Sequence, residues 1–147
     1  MNWMTLFFAL AAGAVVSVQA GSNAQLKQSL GSPILALVVN YVLGFTGIGA
    51  AALIARSHSP TIDAMARTPW WAWVGGLLGL LYGLAVVLLA HKMGAATLIA
   101  TLVTGQLICS VILDHFGWMG FELHRASFLR IGGCALMIAG LTLIAKF

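Results

Sequence analysis

The sequence predicts an all-α polytopic membrane protein with five transmembrane helices. Three observations carry that expectation. Hydrophobic residues make up 61% of the chain and charged residues 7%, with a mean hydropathy of +1.03. A soluble domain carries about 25% charged residues, and seven Lys/Arg, three Asp/Glu and four His cannot cover a water-exposed surface on 147 residues. The apolar residues also fall into five runs near the length that crosses a bilayer, about 20 residues. A formal charge of +4 without a basic run suits anionic lipid headgroups and gives no reason to expect nucleic acid as a partner. Cys109 and Cys134 both lie inside apolar runs and read as small buried hydrophobes, not as a disulfide or a metal pair.

The first span is expected at about residues 3–29. Its apolar part, Trp3 to Val18, is short for a bilayer. The stretch lacks a basic segment at its start and four more apolar spans follow, so it reads as a first helix, not a signal peptide. Beyond Val18, Gln19, Asn23 and Lys27 recur every four residues on one face. Polar groups unpaired in hydrocarbon are costly, so that face should look into protein or water. Lys27 is expected to snorkel toward headgroups.

Gly31-Ser32-Pro33 is a turn, with Pro33 suited to the first position of a second helix over about 33–55. Asn40, Gly44 and Gly47 share one of its faces, with Tyr41 beside them. RSHSPTIDAMARTP, residues 56–69, is a long polar connection. The third span, about 70–91, opens on Trp70, Trp71 and Trp73, an interfacial aromatic anchor. Gly75, Gly79 and Gly83 then form a ridge of the kind that lets helix backbones approach closely in lipid.

A tight turn at His91 to Gly94 leads into the fourth span, about 93–114. It carries a polar stripe: Thr97, Thr101 and Thr104, then Gln106, Ser110 and Asp114 at steps of four. Gln106 sits slightly past the middle. An amide there can donate to and accept from a neutral polar solute without the cost of a buried charge. The other reading is an interhelical hydrogen bond that only holds the bundle together. Thr101 and Thr104 are weaker candidates because threonine can bond back to its own helix. Gln19, Asn23, Asn40 and Tyr41 complete the candidate pathway residues.

The loop from Asp114 to Arg125 precedes a fifth span over about 126–146, with Gly132, Leu136 and Gly140 along one face. Arg130 lies one turn into that helix. It can meet Asp114 as an ion pair locking the hairpin; a proton-coupling role for Asp114 is the alternative, and an arginine neighbour argues against it. Asp114, His115, Glu122 and His124 could in principle approach a metal, yet no H-E-x-x-H or similar tight spacing occurs, and no metal or other cofactor is expected. The chain reads as a single five-helix domain, 1–147, without internal repeat and without enzyme signature.

Five crossings put the N-terminus, residues 56–69 and residues 115–125 on one side of the membrane. Arg56, Arg67, Arg125 and Arg130 lie there, against Lys27, Lys92 and Lys146 on the other. Four against three is almost no orientation signal under the positive-inside rule, so the chain is expected to insert both ways. Trp3, Trp70, Trp71, Trp73 and Trp118 all fall on the first side, and an inverted second copy would supply the missing aromatic belt. A parallel or monomeric protein oriented by weak signals is the alternative.

Several of these residues form a recurring pattern: Gln19, Asn23, Leu30 to Pro33, WWAWVGGLLG at Trp70 to Gly79, Gly94-Ala95, Gly105-Gln106, Ser110, then DHFG at Asp114 to Gly117, Gly120, Arg130 and Gly133. Over nearly its whole length the chain resembles the YdcZ-like family, also called DUF606, of the drug/metabolite transporter superfamily. The resemblance implies a multi-pass protein of the bacterial inner membrane, similar to one half of the ten-helix inverted-repeat transporters. It further implies a secondary transporter; the polar stripe, not the resemblance, points to a small polar or amphipathic metabolite as the solute. Members act as antiparallel homodimers, as oppositely oriented pairs or as fusions; the near-zero charge bias fits the homodimer, with a polar pathway at its interface. The alternatives are a small dual-topology channel and a structural or regulatory membrane subunit.

Overall fold

The computed structural model describes residues 2–147, and no strand occurs among them. Seven α-helices follow one another: α1 (Trp3–Leu30), α2 (Pro33–Ile54), α3 (Ile62–Arg67), α4 (Trp70–Trp73), α5 (Gly75–Met93), α6 (Ala95–Phe116) and α7 (Phe128–Lys146). Five stretches are long and apolar enough to cross a membrane: α1, α2, Trp70–Met93, α6 and α7.

The helix ends follow local chemistry. The Asn2 side chain accepts from the Met4 N–H to cap α1, and Gly31 closes it in the left-handed conformation at φ 66°. Ser32 then caps α2 by accepting from the Leu35 N–H, with Pro33 in the first turn, where its missing N–H costs no helical bond. The α1 helix of 28 residues is about 42 Å long, well beyond the hydrocarbon thickness. Inside the 56–69 connection, Thr61 caps the short α3, which the sequence reading leaves as loop. The third span is interrupted once, at Val74, whose N–H turns back to the Trp71 carbonyl at 3.3 Å. Gly94, at φ 77°, separates α5 from α6. The fourth helix therefore runs two residues later than expected, from Ala95 to Phe116, and the fifth starts at Phe128, capped by Ser127.

The chain divides into two compact units, one ending at Leu89 and one spanning Ala90–Phe147. In the first, α1 packs against α2. Its buried apolar residues are Ala20 and Ala24 on α1, Ala36 and Leu37 on α2, and Val86 and Val87 on α5. Five of these six are alanine or valine, and small side chains such as alanine let helices approach closely in lipid. The α2–α5 seam is closest at Gly83, where an added Cβ would lie 2.8 Å from the Tyr41 hydroxyl and 3.1 Å from Leu37 Cδ2. That hydroxyl donates to the Gly79 carbonyl at 2.7 Å. No atom of another helix comes within 4 Å of a Cβ built at Gly75 or Gly79, so among the described residues close approach along the glycine ridge occurs at Gly83.

In the second unit α6 packs against α7. Gly117 ends α6 in the left-handed conformation, and its N–H bonds the Asp114 carbonyl at 3.4 Å. A 3₁₀ turn, Trp118–Gly120, follows. Trp118 stacks on Phe116 with ring centroids 4.8 Å apart.

Candidate functional site

A cleft of about 60 Å³ opens in the first unit between α1, α2 and α5. Val16, Gln19, Ala20 and Asn23 line it from α1, Asn40 and Tyr41 from α2, and Tyr82, Gly83 and Val86 from α5. The four-residue recurrence of Gln19 and Asn23 turns both toward the same side of α1. Adjacent positions on α2 supply Asn40 and Tyr41, the latter held by its bond to Gly79.

Asn23 is the most enclosed polar residue of the cleft, at 5% exposure. Its Oδ1 is buried without a hydrogen-bond partner among the described residues. A buried carboxamide oxygen left unpaired costs about 1–3 kcal/mol, so this acceptor marks where the cleft is incomplete by itself. The Lys27 ammonium, one turn along α1, is half-buried and donates to the Val87 carbonyl at 3.4 Å. It is thus turned into the protein at α5, where the sequence reading has it snorkelling outward. The cleft lining carries no ionisable carboxylate, imidazole or ammonium; its polarity is that of amides and phenols.

Four of the seven predicted pathway residues thus come together: Gln19, Asn23, Asn40 and Tyr41. The other three lie on α6 in the second unit. Thr101 and Thr104 donate to the carbonyls of Thr97 and Ala100, each at 2.7 Å, which occupies both hydroxyl protons within their own helix. Thr104 is buried, whereas Gln106, midway along α6, is exposed on this chain. Sequence reasoning missed Tyr82 and Gly83 as cleft residues. Tyr82 sits in an apolar run, where its ring reads as one more hydrophobe; only its proximity in register to Gly79 and Gly83 hints at a shared face.

Against α2 and α5, a second, larger groove of about 490 Å³ is lined by Ile34, Leu37, Val38, Tyr41, Val42, Leu80, Leu81 and Leu84. It is apolar throughout except for Tyr41, which borders both spaces.

The second unit holds an interlocked corner. The Arg130 guanidinium pairs with the Asp114 carboxylate and also donates to the His124 carbonyl at 2.9 Å. The His124 N–H donates to the Asp114 carbonyl at 2.8 Å, and the Ala126 N–H to His115 Nδ1 at 3.0 Å. Of the residues weighed as metal ligands, Asp114, His115 and His124 thus serve to fasten the 117–127 connection to the end of α6. Trp70 and Trp73 are 77% and 57% exposed, and Trp71 is half-buried.

Residues 4–143 match the family described as "Putative inner membrane exporter, YdcZ". The chain belongs to the YdcZ family. It is 31% identical over 143 residues to the inner membrane protein YdcZ of Escherichia coli (strain K12), covering 97% of this chain and 95% of that relative. No solved structure matches the chain. With its five candidate spans, this member of the YdcZ family is a multi-pass protein of the inner membrane. The match spans both the cleft residues of the first unit and the Asp114–Arg130 corner of the second.

Proposed function

We propose that the chain is a secondary transporter that exports a small polar or amphipathic metabolite, working as an antiparallel homodimer with a polar pathway at the dimer interface. The observation that carries this reading is the cleft between α1, α2 and α5, with amide and phenol groups at depth in apolar spans and an unpaired buried oxygen on Asn23. Hydrocarbon tolerates such groups only where protein, water or a solute covers them. The exporter description of the matching family supports the same function.

Two features support the antiparallel pair. Gln106 is exposed midway along α6, and a lipid-facing carboxamide at that depth is unfavourable, so a second chain is the cover that best suits it. The charge and tryptophan counts leave one copy with almost no orientation bias and a one-sided aromatic belt, which an inverted copy completes. In that pair Gln106 and its counterpart, with Thr101 and Thr104 behind them, line the central path. The Asp114–Arg130 pair acts as a latch on the loop and not as a proton carrier.

Two measurements test the reading. Mass spectrometry of the medium from overproducing cells should show one or more small polar solutes accumulating, and those solutes should exchange by saturable counterflow in proteoliposomes. An unchanged medium sinks the transporter, and an unsaturable ionic current makes it a channel. Separately, a Lys92→Cys variant lacking Cys109 and Cys134 should react with an impermeant maleimide from both faces of the membrane. Labelling from one face only rules out dual topology.

A further inference from the structure

We infer that Asn23 is the selecting group of the cleft, and that the ligand it takes is a neutral hydrogen-bond donor, a hydroxyl or amide N–H, not an ion. This deepens the transporter reading and rests on it for the identity of the site. Asn23 lines the cleft, and its Oδ1 is buried with no partner among the described residues. It is an acceptor with lone pairs and nothing to accept from. An anion presented to this oxygen would meet like partial charge and bring no proton to satisfy it. A cation would face the Lys27 ammonium, which holds the same face of α1 one turn away and is fixed inward on the Val87 carbonyl. No carboxylate lines the cleft to offset that repulsion. A neutral donor satisfies the oxygen and meets neither penalty.

Size narrows the class further. At about 60 Å³ the cleft has room for a small donor-bearing group such as a primary alcohol or a secondary amide. The phenols of Tyr41 and Tyr82 on the opposite walls offer further polar contact without charge.

The test compares two probes that differ in one donor. Protein carrying ¹⁵N-asparagine has three side-chain amide signals, from Asn2, Asn23 and Asn40. N-methylacetamide, which has an N–H, should shift the Asn23 signal in nanodiscs. N,N-dimethylacetamide, which lacks it, should bind about fivefold more weakly, the worth of one hydrogen bond. Acetate and tetramethylammonium should leave the signal unmoved. Asn23→Ala should reduce N-methylacetamide binding, read by saturation transfer, to the level of the dimethyl probe. Equal response to both amides, a larger response to either ion, or no response to any probe overturns the inference. The two-amide comparison uses the unaltered chain, so it stands even where Asn23→Ala fails to fold. Selective binding without export in the cell assay would remove the transporter and leave the donor site. Export without selective binding would do the reverse.

Discussion

Gly83 shows how much a single residue decides here. The absence of a side chain lets the Tyr41 hydroxyl reach the Gly79 carbonyl, and that bond holds one wall of the cleft. Gly83→Ala places a methyl 2.8 Å from the hydroxyl, which must move and lose its acceptor. The expected cost is about 1–3 kcal/mol from overpacking and the lost bond together. Tyr41→Phe removes the hydroxyl, after which the nearest remaining ring atom, Cζ, lies at 3.7 Å from the added Cβ, an ordinary contact. The alanine should then cost about 1 kcal/mol less in the Tyr41→Phe background than in the native one. Unfolding of the four proteins in detergent measures this; additive effects would show that Tyr41 is not the obstacle. The glycine spacing was legible in the sequence. Which glycine meets a neighbour was not, because that depends on the position of Tyr41 on another helix.

At the scale of elements, the α6–α7 hairpin is held at its loop end by side chains bonding backbone. Arg130 reaches both the Asp114 carboxylate and the His124 carbonyl. The pair is partly exposed, at 35% for the Arg130 side chain and 23% for Asp114, so solvent screens it and its loss should cost only about 1 kcal/mol. Arg130→Ala is expected to loosen the loop more than the helices: limited proteolysis should cut faster within residues 117–127 while helix content by circular dichroism is retained. A general loss of helicity would mean that the pair supports the whole hairpin. The partnership of Asp114 and Arg130 could be anticipated because both residues stand beside one loop. The roles of His115 and His124 could not, because they act through a ring nitrogen and backbone groups that sequence spacing does not reveal. The same limit applied to helix ends. Gly94 and Gly117 mark the observed boundaries, two residues later than the expected 93–114.

For the whole molecule, the polar residues left uncovered bear on assembly. Gln106→Ala in the proposed antiparallel pair should impair export by about tenfold, as for a lost amide contact of about 1–1.5 kcal/mol, while chemical cross-linking still finds the dimer. Loss of the cross-linked dimer instead would make Gln106 an interhelical hydrogen bond and no part of the pathway.

Composition and period alone determined that the chain is helical, membrane-spanning and five times crossing, because the bilayer demands long apolar helices whatever they pack against. They also named Gln19, Asn23, Asn40 and Tyr41 as polar residues at depth, because a hydrophobic solvent makes every such residue conspicuous. Only the tertiary structure decided that these four meet in one cleft, that Tyr82 joins them, and that Asn23 alone among the described residues is left with a buried, unanswered side-chain oxygen. Periodicity assigns a residue to a face of its own helix. What that face meets is set by the packing of α1, α2 and α5, where small side chains and Gly83 allow the approach.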